Sequence, residues 1–339
     1  MSTSPGPGTR RLVRCVVGNE TYCIDNDWLD SIQVVENLYP SRSADGSIGW
    51  IRRFDEKVPV FRLADQISSA HSRGASRQGV IMVLRKGEKL WALLVDKVTA
   101  ASEVELDRMC PLPAVAGDTV RGHFPGVVVE EEGIMLYLAP DRVVPPEVSG
   151  VRSPAPHAAS RRASHVRVAP RRIQVGLRRA AQQIITFTLV HETPMTSPVR
   201  FGVTAGQAVE IVSELPMIAV PQAPPFVVGL AKWRSLPIPV VDLGAWLGMT
   251  PAPYTPGCRL LLCRGTISGG GRDAGLLAVP AVDDIRKLDL PIEYRPWPEP
   301  VKWNSALALG IYRAERTMLV IPDLDAVLSF RNAVSSYTM

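Results

Sequence analysis

Along this chain apolar and polar positions alternate in short runs set between turn residues. Leu12 to Val17 and Thr21 to Asp25 flank Gly18-Asn19, and Val80 to Leu84 and Leu90 to Val95 flank Lys86-Gly87-Glu88. Gly126 to Glu130 and Gly133 to Leu138 form a third such pair, with acids at the tip. Period-two alternation around turn residues of this kind predicts β-hairpins. Lys57 to Phe61 reads as a further strand, and Trp28 to Val35 as a short helix or irregular connection. Before Pro145 no segment has the length and 3.6-residue period of a substantial helix, and Asp141 to Val144 is expected to open a closing helical turn. Many short strands separated by turns predict an all-β barrel or sandwich.

The same order returns in the second half. Ile184 to Val190 and Val199 to Val203 pair across a longer turn, and Ala205 to Val212 takes the place of Trp28 to Val35. Arg259 to Cys263 pairs with Ala274 to Val279 around Ser268-Gly269-Gly270-Gly271. Leu309 to Arg313 pairs with Arg316 to Ile321, and Asp323 caps a last turn through Leu328. The most explicit repeat is VGLAKWRSLPIPVVDL (Val228 to Leu243) against IGWIRRFDEKVPVFRL (Ile48 to Leu63). Both read as strand, turn and strand. In each a Gly (Gly49, Gly229) precedes a Pro-Val pair (Pro59-Val60, Pro239-Val240) by the same spacing, and a Leu (Leu63, Leu243) closes the block. The second block runs on into a short helix, Leu243 to Leu247. One unit is written twice, about 180 residues apart.

The 339 residues suit roughly two domains. We place them at 11–145 and 184–330, with tails at 1–10 and 331–339 and a linker over 146–183. The linker stretch PPEVSGVRSPAPHAASRRASHVRVAP is poor in large apolar residues, so it reads as a flexible spacer. Between Pro145 and Gln183 eight Arg face one acid, Glu147, which makes that segment plus seven. The whole chain is plus five, so the remainder is minus two, and the basic character belongs to one segment. Five cysteines without a CxxC pair read as reduced, buried thiols. No apolar run has membrane-spanning length and the N-terminus has no signal core, so a cytoplasmic protein is expected.

Signs of catalysis are missing from the sequence. It has no P-loop, no GxGxxG after a strand, no GxSxG and no HExxH. Gly269-Gly270-Gly271 is a hairpin tip with no helix behind it to receive a phosphate. His71, His123, His157, His165 and His191 do not cluster as metal ligands would. We expect no enzyme activity, no cofactor and no metal. The Arg-rich linker raises a second function class, binding of nucleic acid or an anionic surface. It lacks the interleaved aromatics that stack bases, and the rest of the chain is slightly acidic, so nucleic acid is not expected as the main partner.

The duplicated pattern resembles the CheW-like domain, the adaptor module of bacterial chemotaxis signalling. The resemblance rests on the Gly to Pro-Val to Leu block (Gly229, Arg234, Pro239, Val240, Asp242, Leu243), on LLVDKV (Leu93 to Val98) with LLAVPAV (Leu276 to Val282), and on the closing strands in LYLAPDRV and LVIPDLDAVL. It implies an all-β chain of two CheW-like domains, each made of two small five-stranded SH3-like β-barrels with a hydrophobic seam and short connecting helices. It further implies a non-enzymatic scaffold. The implied partners are the regulatory domain of a CheA-type histidine kinase, the cytoplasmic tip of a methyl-accepting chemoreceptor, and other CheW-like domains in a membrane-associated array.

The partner-binding candidates lie around the repeated turn. They are Lys232, Trp233, Arg234 and Asp242 with Val209 and Glu210 in the second half, and Arg52, Arg53, Phe54 and Arg62 in the first. Trp and Arg dominate interface hot spots. Trp233 reads either as such an anchor or as the cover of a barrel core, and Asp242 either as a contact or as an internal pair. The family carries Asn-Leu-Arg-Gly at this turn. The second half keeps the Arg at 234, whereas the first puts Phe54 there and Arg62 where the second has Asp242. A reversed charge at a contact surface would give the halves different partners.

Overall fold

The structure is a computed structural model and describes residues 8–41, 45–67, 79–99, 101–149, 183–189, 199–213, 215–249, 259–265, 276–289, 308–314 and 317–329. The loop expected at 68–78, the glycine tip at 269–271, the turn at 191–198 and most of the linker and tails lie outside these residues. The chain divides into two compact units, one carrying most of 8–149 and the other most of 183–329.

The first unit consists of two curled sheets. One contains Thr9–Val17, Glu20–Asp25, Gly126–Val129 and Ile134–Tyr137, with the shorter Lys97–Val98, Ser102–Glu105 and Met109–Pro111 added at its margins. The other runs in the order Leu29–Val34, Val80–Lys86, Lys89–Val95, Glu56–Arg62, Gly49–Arg53, Tyr39–Pro40. Counting these short ladders, the sheets have seven and six strands, where five each were expected. The strand predicted to begin at Leu12 starts at Thr9, inside the expected tail. Pro146–Ser149 is a helical turn inside the expected linker.

Alternation explains the core of the second of these sheets. Ile51, Val58, Val60, Ile81, Val83, Ala92 and Leu94 point to one side and form a single cluster. Their neighbours Phe61, Met82 and Leu93 are at most 1% exposed on the other side, so these strands are covered on both faces. Asp96 ties the sheets together: its backbone N–H donates to the Val16 carbonyl at 3.0 Å and its carboxylate accepts from Gly18 N at 2.6 Å.

The second unit repeats these pairings. Leu136 lies beside Tyr22 in a parallel ladder in the first unit, and Val320 lies beside Phe201 in the second. Val60 beside Ala92 is matched by Val240 beside Ala278. Two strands were not anticipated. Leu29–Val34 and its counterpart Ala208–Val212 are edge strands of their sheets, each with a bulge near its start, at Leu29/Ser31 and at Ala208/Glu210. The bulge puts polar Asp30 out of phase and hides the alternation that marks a strand. Leu276–Asp289 is one strand of 14 residues, where Pro280 suggested an end at Val279. It continues because its first part pairs with Arg259–Arg264 and its last part with Gln183–Thr188.

The prolines of the repeated block sit in interior strands, not at an edge. Pro59 is opposite Trp50, one residue before the parallel ladder to Lys89–Val95 opens at Val60, so the missing N–H removes no bond on that side. Gly49 is required by close approach, since a Cβ there would collide with the Tyr39 carbonyl oxygen. Cys15, Cys23 and Cys263 are buried free thiols, and burial pushes Cys15 and Cys263 up to about 12. Cys110 is half-buried, and Cys258 lies outside the described residues. Among the described residues no helix is long and apolar enough to cross a membrane.

Candidate docking hairpins

Each copy of the repeated block folds into a hairpin with a two-residue turn. Gly49–Arg53 and Glu56–Arg62 meet with Arg53 opposite Glu56, leaving Phe54-Asp55 as the turn. Val227–Trp233 and Leu236–Val241 meet with Trp233 opposite Leu236, leaving Arg234-Ser235. The first turn residue is left-handed in both, with φ 53° at Phe54 and 56° at Arg234. A side chain in that region costs on the order of 1 kcal/mol. Strain kept at the same position in both copies, beneath a large exposed side chain, is what a functional site shows. Phe54 is 77% exposed, and the Arg234 side chain 73%.

At the foot of each turn a cation stacks on an aromatic ring, but the order is exchanged. In the first hairpin the cation is Arg53, its guanidinium carbon 4.6 Å from the Phe54 ring centroid. In the second the ring is Trp233, with the Arg234 guanidinium carbon 4.4 Å from its centroid. The acid that holds each arrangement has moved to match. Asp30, on the bulge of Leu29–Val34, accepts from Arg53 Nη2 at 2.9 Å and from Arg85 Nη2 at 2.9 Å. Burial alone would raise the Asp30 carboxyl, but the hydrogen bonds from Arg85 and Arg53 outweigh it and hold its pKa below the ordinary value. In the second hairpin Glu210 accepts from Trp233 Nε1–H at 3.2 Å and lies 3.8 Å from Arg234 Nη2. Asp30 and Arg85 were not anticipated; an acid on an unrecognised strand carries no sequence signal.

The candidates therefore separate. Phe54, Arg52, Arg234 and Glu210 are exposed, and Arg53 and Lys232 are half-buried at the same turns. Trp233 is 9% exposed and belongs to the sheet core with Ala231, Ile238, Val240, Leu260 and Leu262, so it covers the barrel interior and is not an exposed anchor. Val209 packs against that same cluster. Asp242 is 6% exposed and caps the helix Leu243–Trp246, accepting from Gly244 N at 2.9 Å and Ala245 N at 3.1 Å. Arg62 occupies the equivalent place before Leu63–Ile67 and has a buried Nε with no hydrogen-bond partner among the described residues. The charge reversal between Arg62 and Asp242 thus falls at a helix start, not on an open contact surface.

A cap of this kind contributes about 1 to 2 kcal/mol. Asp242→Ala is expected to lower the stability of the second unit by that amount, and Arg62→Asp to raise that of the first by about 1 kcal/mol. Amide exchange across the two helices reads both effects. Equal exchange in Asp242→Ala and the parent would show that the cap is not stabilising.

Among the described residues no three His, Cys, Asp or Glu side chains converge as metal ligands. The CheW-like domain family model matches residues 11–147 and 183–331, most of the chain, in two copies. Among solved structures the chain is similar to the scaffolding protein TtCheW from Thermoanaerobacter tengcongensis, at 17% identity over 41% of this chain and 90% of that one, with a TM-score of 0.36. No curated protein matches the chain.

Proposed function

The chain belongs to the CheW-like domain family, and on that premise we propose that it is a non-catalytic adaptor coupling chemoreceptors to a CheA-type histidine kinase. The family is one of chemotaxis scaffolds rather than enzymes. The observation that carries the reading for this chain is the pair of strained hairpins. Both present an exposed side chain at one turn position, and they differ there in chemistry: an apolar ring at Phe54, a guanidinium at Arg234. A duplicated fold that keeps the presentation and changes what is presented suits two partners of different character. The second unit, with Arg234 in family register, takes the partner the family takes. The first is specialised.

Phe54→Ala and Arg234→Glu in the full chain test this against a purified kinase regulatory domain and a receptor tip fragment. Each variant is expected to weaken one partner by about tenfold and leave the other within about twofold. Both variants weakening the same partner equally would remove the division of labour.

A further inference from the structure

The outward face of the first docking hairpin holds an arrangement the fold does not need. Residues alternate along Gly49–Arg53 and Glu56–Arg62, so Trp50 and Arg52 share one face with Lys57 and Pro59, while Ile51 and Val58 point into the core. Arg52 stands directly opposite Lys57, both are exposed, and neither has a carboxylate partner among the described residues. Like charges facing each other across a ladder are destabilising. Beside them Tyr39 stacks on Trp50 with ring centroids 4.3 Å apart and planes at 12°. Lys57 Nζ lies 4.7 Å from the Trp50 centroid. Tyr39 is 52% exposed, and its strand Tyr39–Pro40 ends the sheet, so the aromatic pair is open to solvent.

The second unit shows what this position looks like without such a demand. By the offset that equates Phe54 with Arg234, the residues are Leu230, Lys232 and Pro237; Leu230 is fully buried, and Pro237 stands where Lys57 does, so no like pair forms. The first unit therefore keeps two opposed cations and an exposed aromatic stack that its own fold can do without.

We infer that this face docks an acidic segment of a protein partner. A carboxylate enters between Arg52 and Lys57 and cancels their repulsion, and the apolar side chain next to it packs on the Trp50–Tyr39 pair. Charge selects the segment: two cations brought together without a counter-charge gain most from an acid. The aromatic pair favours an acid flanked by apolar residues over a uniformly charged strand. This inference deepens the adaptor reading and rests on it, and it adds the chemistry of the first unit's partner.

The test uses the full chain and a short fluorescent peptide of alternating Glu and Leu, with its Gln-for-Glu counterpart and single-stranded oligothymidine as further probes. The Glu peptide is expected to bind, the Gln peptide about tenfold more weakly or worse, and Lys57→Glu and Trp50→Ala each to weaken the Glu peptide by about tenfold. Lys57→Glu is also expected to unfold at the same temperature as the parent or higher, because it turns a like pair into an opposite one. That separates loss of the face from loss of the fold. Equal binding of the Glu peptide by the parent and both variants would assign it to the basic segment between the units and overturn the inference. So would equal binding of the Gln peptide, or Trp50-dependent binding of oligothymidine in place of the peptide. Kinase and receptor binding measured on the same samples distinguishes the two ways of failing: retained partner binding with no peptide effect sinks this inference alone, and loss of partner binding in the parent sinks the adaptor role beneath it.

Discussion

Trp233→Ala is expected to cost the second unit about 3 kcal/mol, the largest single effect among the hairpin residues. The ring is 9% exposed and packs on Ala231, Ile238, Val240, Leu260 and Leu262, so its removal opens a cavity at the barrel mouth. It also withdraws the donor that Glu210 accepts and the surface on which Arg234 lies. Amide exchange along Val227–Trp233 and Leu236–Val241 should quicken by roughly a hundredfold, and exchange in the first unit should stay as it was. The equivalent Arg53→Ala should cost nearer 1 kcal/mol, because position 53 carries a partly exposed ion pair where position 233 carries core. Equal costs at the two positions would mean that the hairpins are built alike and that the exchange of ring and cation is superficial.

Asp30→Asn is expected to cost the first unit about 2 kcal/mol at neutral pH, since it weakens charge-assisted hydrogen bonds to two arginines at once. The pH dependence has a definite sign. The folded-state pKa of Asp30 is depressed, so its contribution is complete above the ordinary carboxyl range near 4 and disappears as pH falls through the lower folded value. The gap between parent and Asp30→Asn should hold constant from pH 7 to about 5 and close below about pH 4. Urea unfolding followed at several pH values reads this, with exchange in Leu29–Val34 confirming the location. A gap that widened in acid would show that Asp30 is not held as its anion.

Much of this architecture is written plainly in the chain, and the parts that are hidden have identifiable causes. The hairpins at Gly18-Asn19 and Gly87 and the duplicated block are legible because a turn residue sits between two alternating runs. Leu29–Val34 is not, because its bulge shifts the pattern by one residue at Asp30. With that strand unseen, the acid that orders Arg53 could not be placed. Asp242 carried the sequence mark of a helix cap, an Asp just before a helical segment, yet also fits a charged contact; only its burial distinguishes them. Trp233 poses the same difficulty. A Trp beside a turn is chemically suited to an interface and to a core, and which one it serves depends on what the barrel leaves open at its mouth.

The exposed chemistry is a property of pairs rather than of single residues. Arg52 and Lys57 are ordinary surface cations until register sets them opposite each other. Tyr39 and Trp50 are eleven positions apart in the sequence and meet only through the edge ladder. Sequence identifies the turn as the place where the two units differ; three-dimensional register shows that one copy offers a ring beside bare cations and the other a guanidinium over a buried indole.

The adaptor role is tested most directly by titrating the purified full-length chain with a CheA-type regulatory domain and a chemoreceptor tip fragment, first singly and then together. Each fragment is expected to bind, and the second still to bind when the first is saturating, giving a complex that contains all three. A chain that bound neither fragment, or from which one fragment fully displaced the other, would contradict that role.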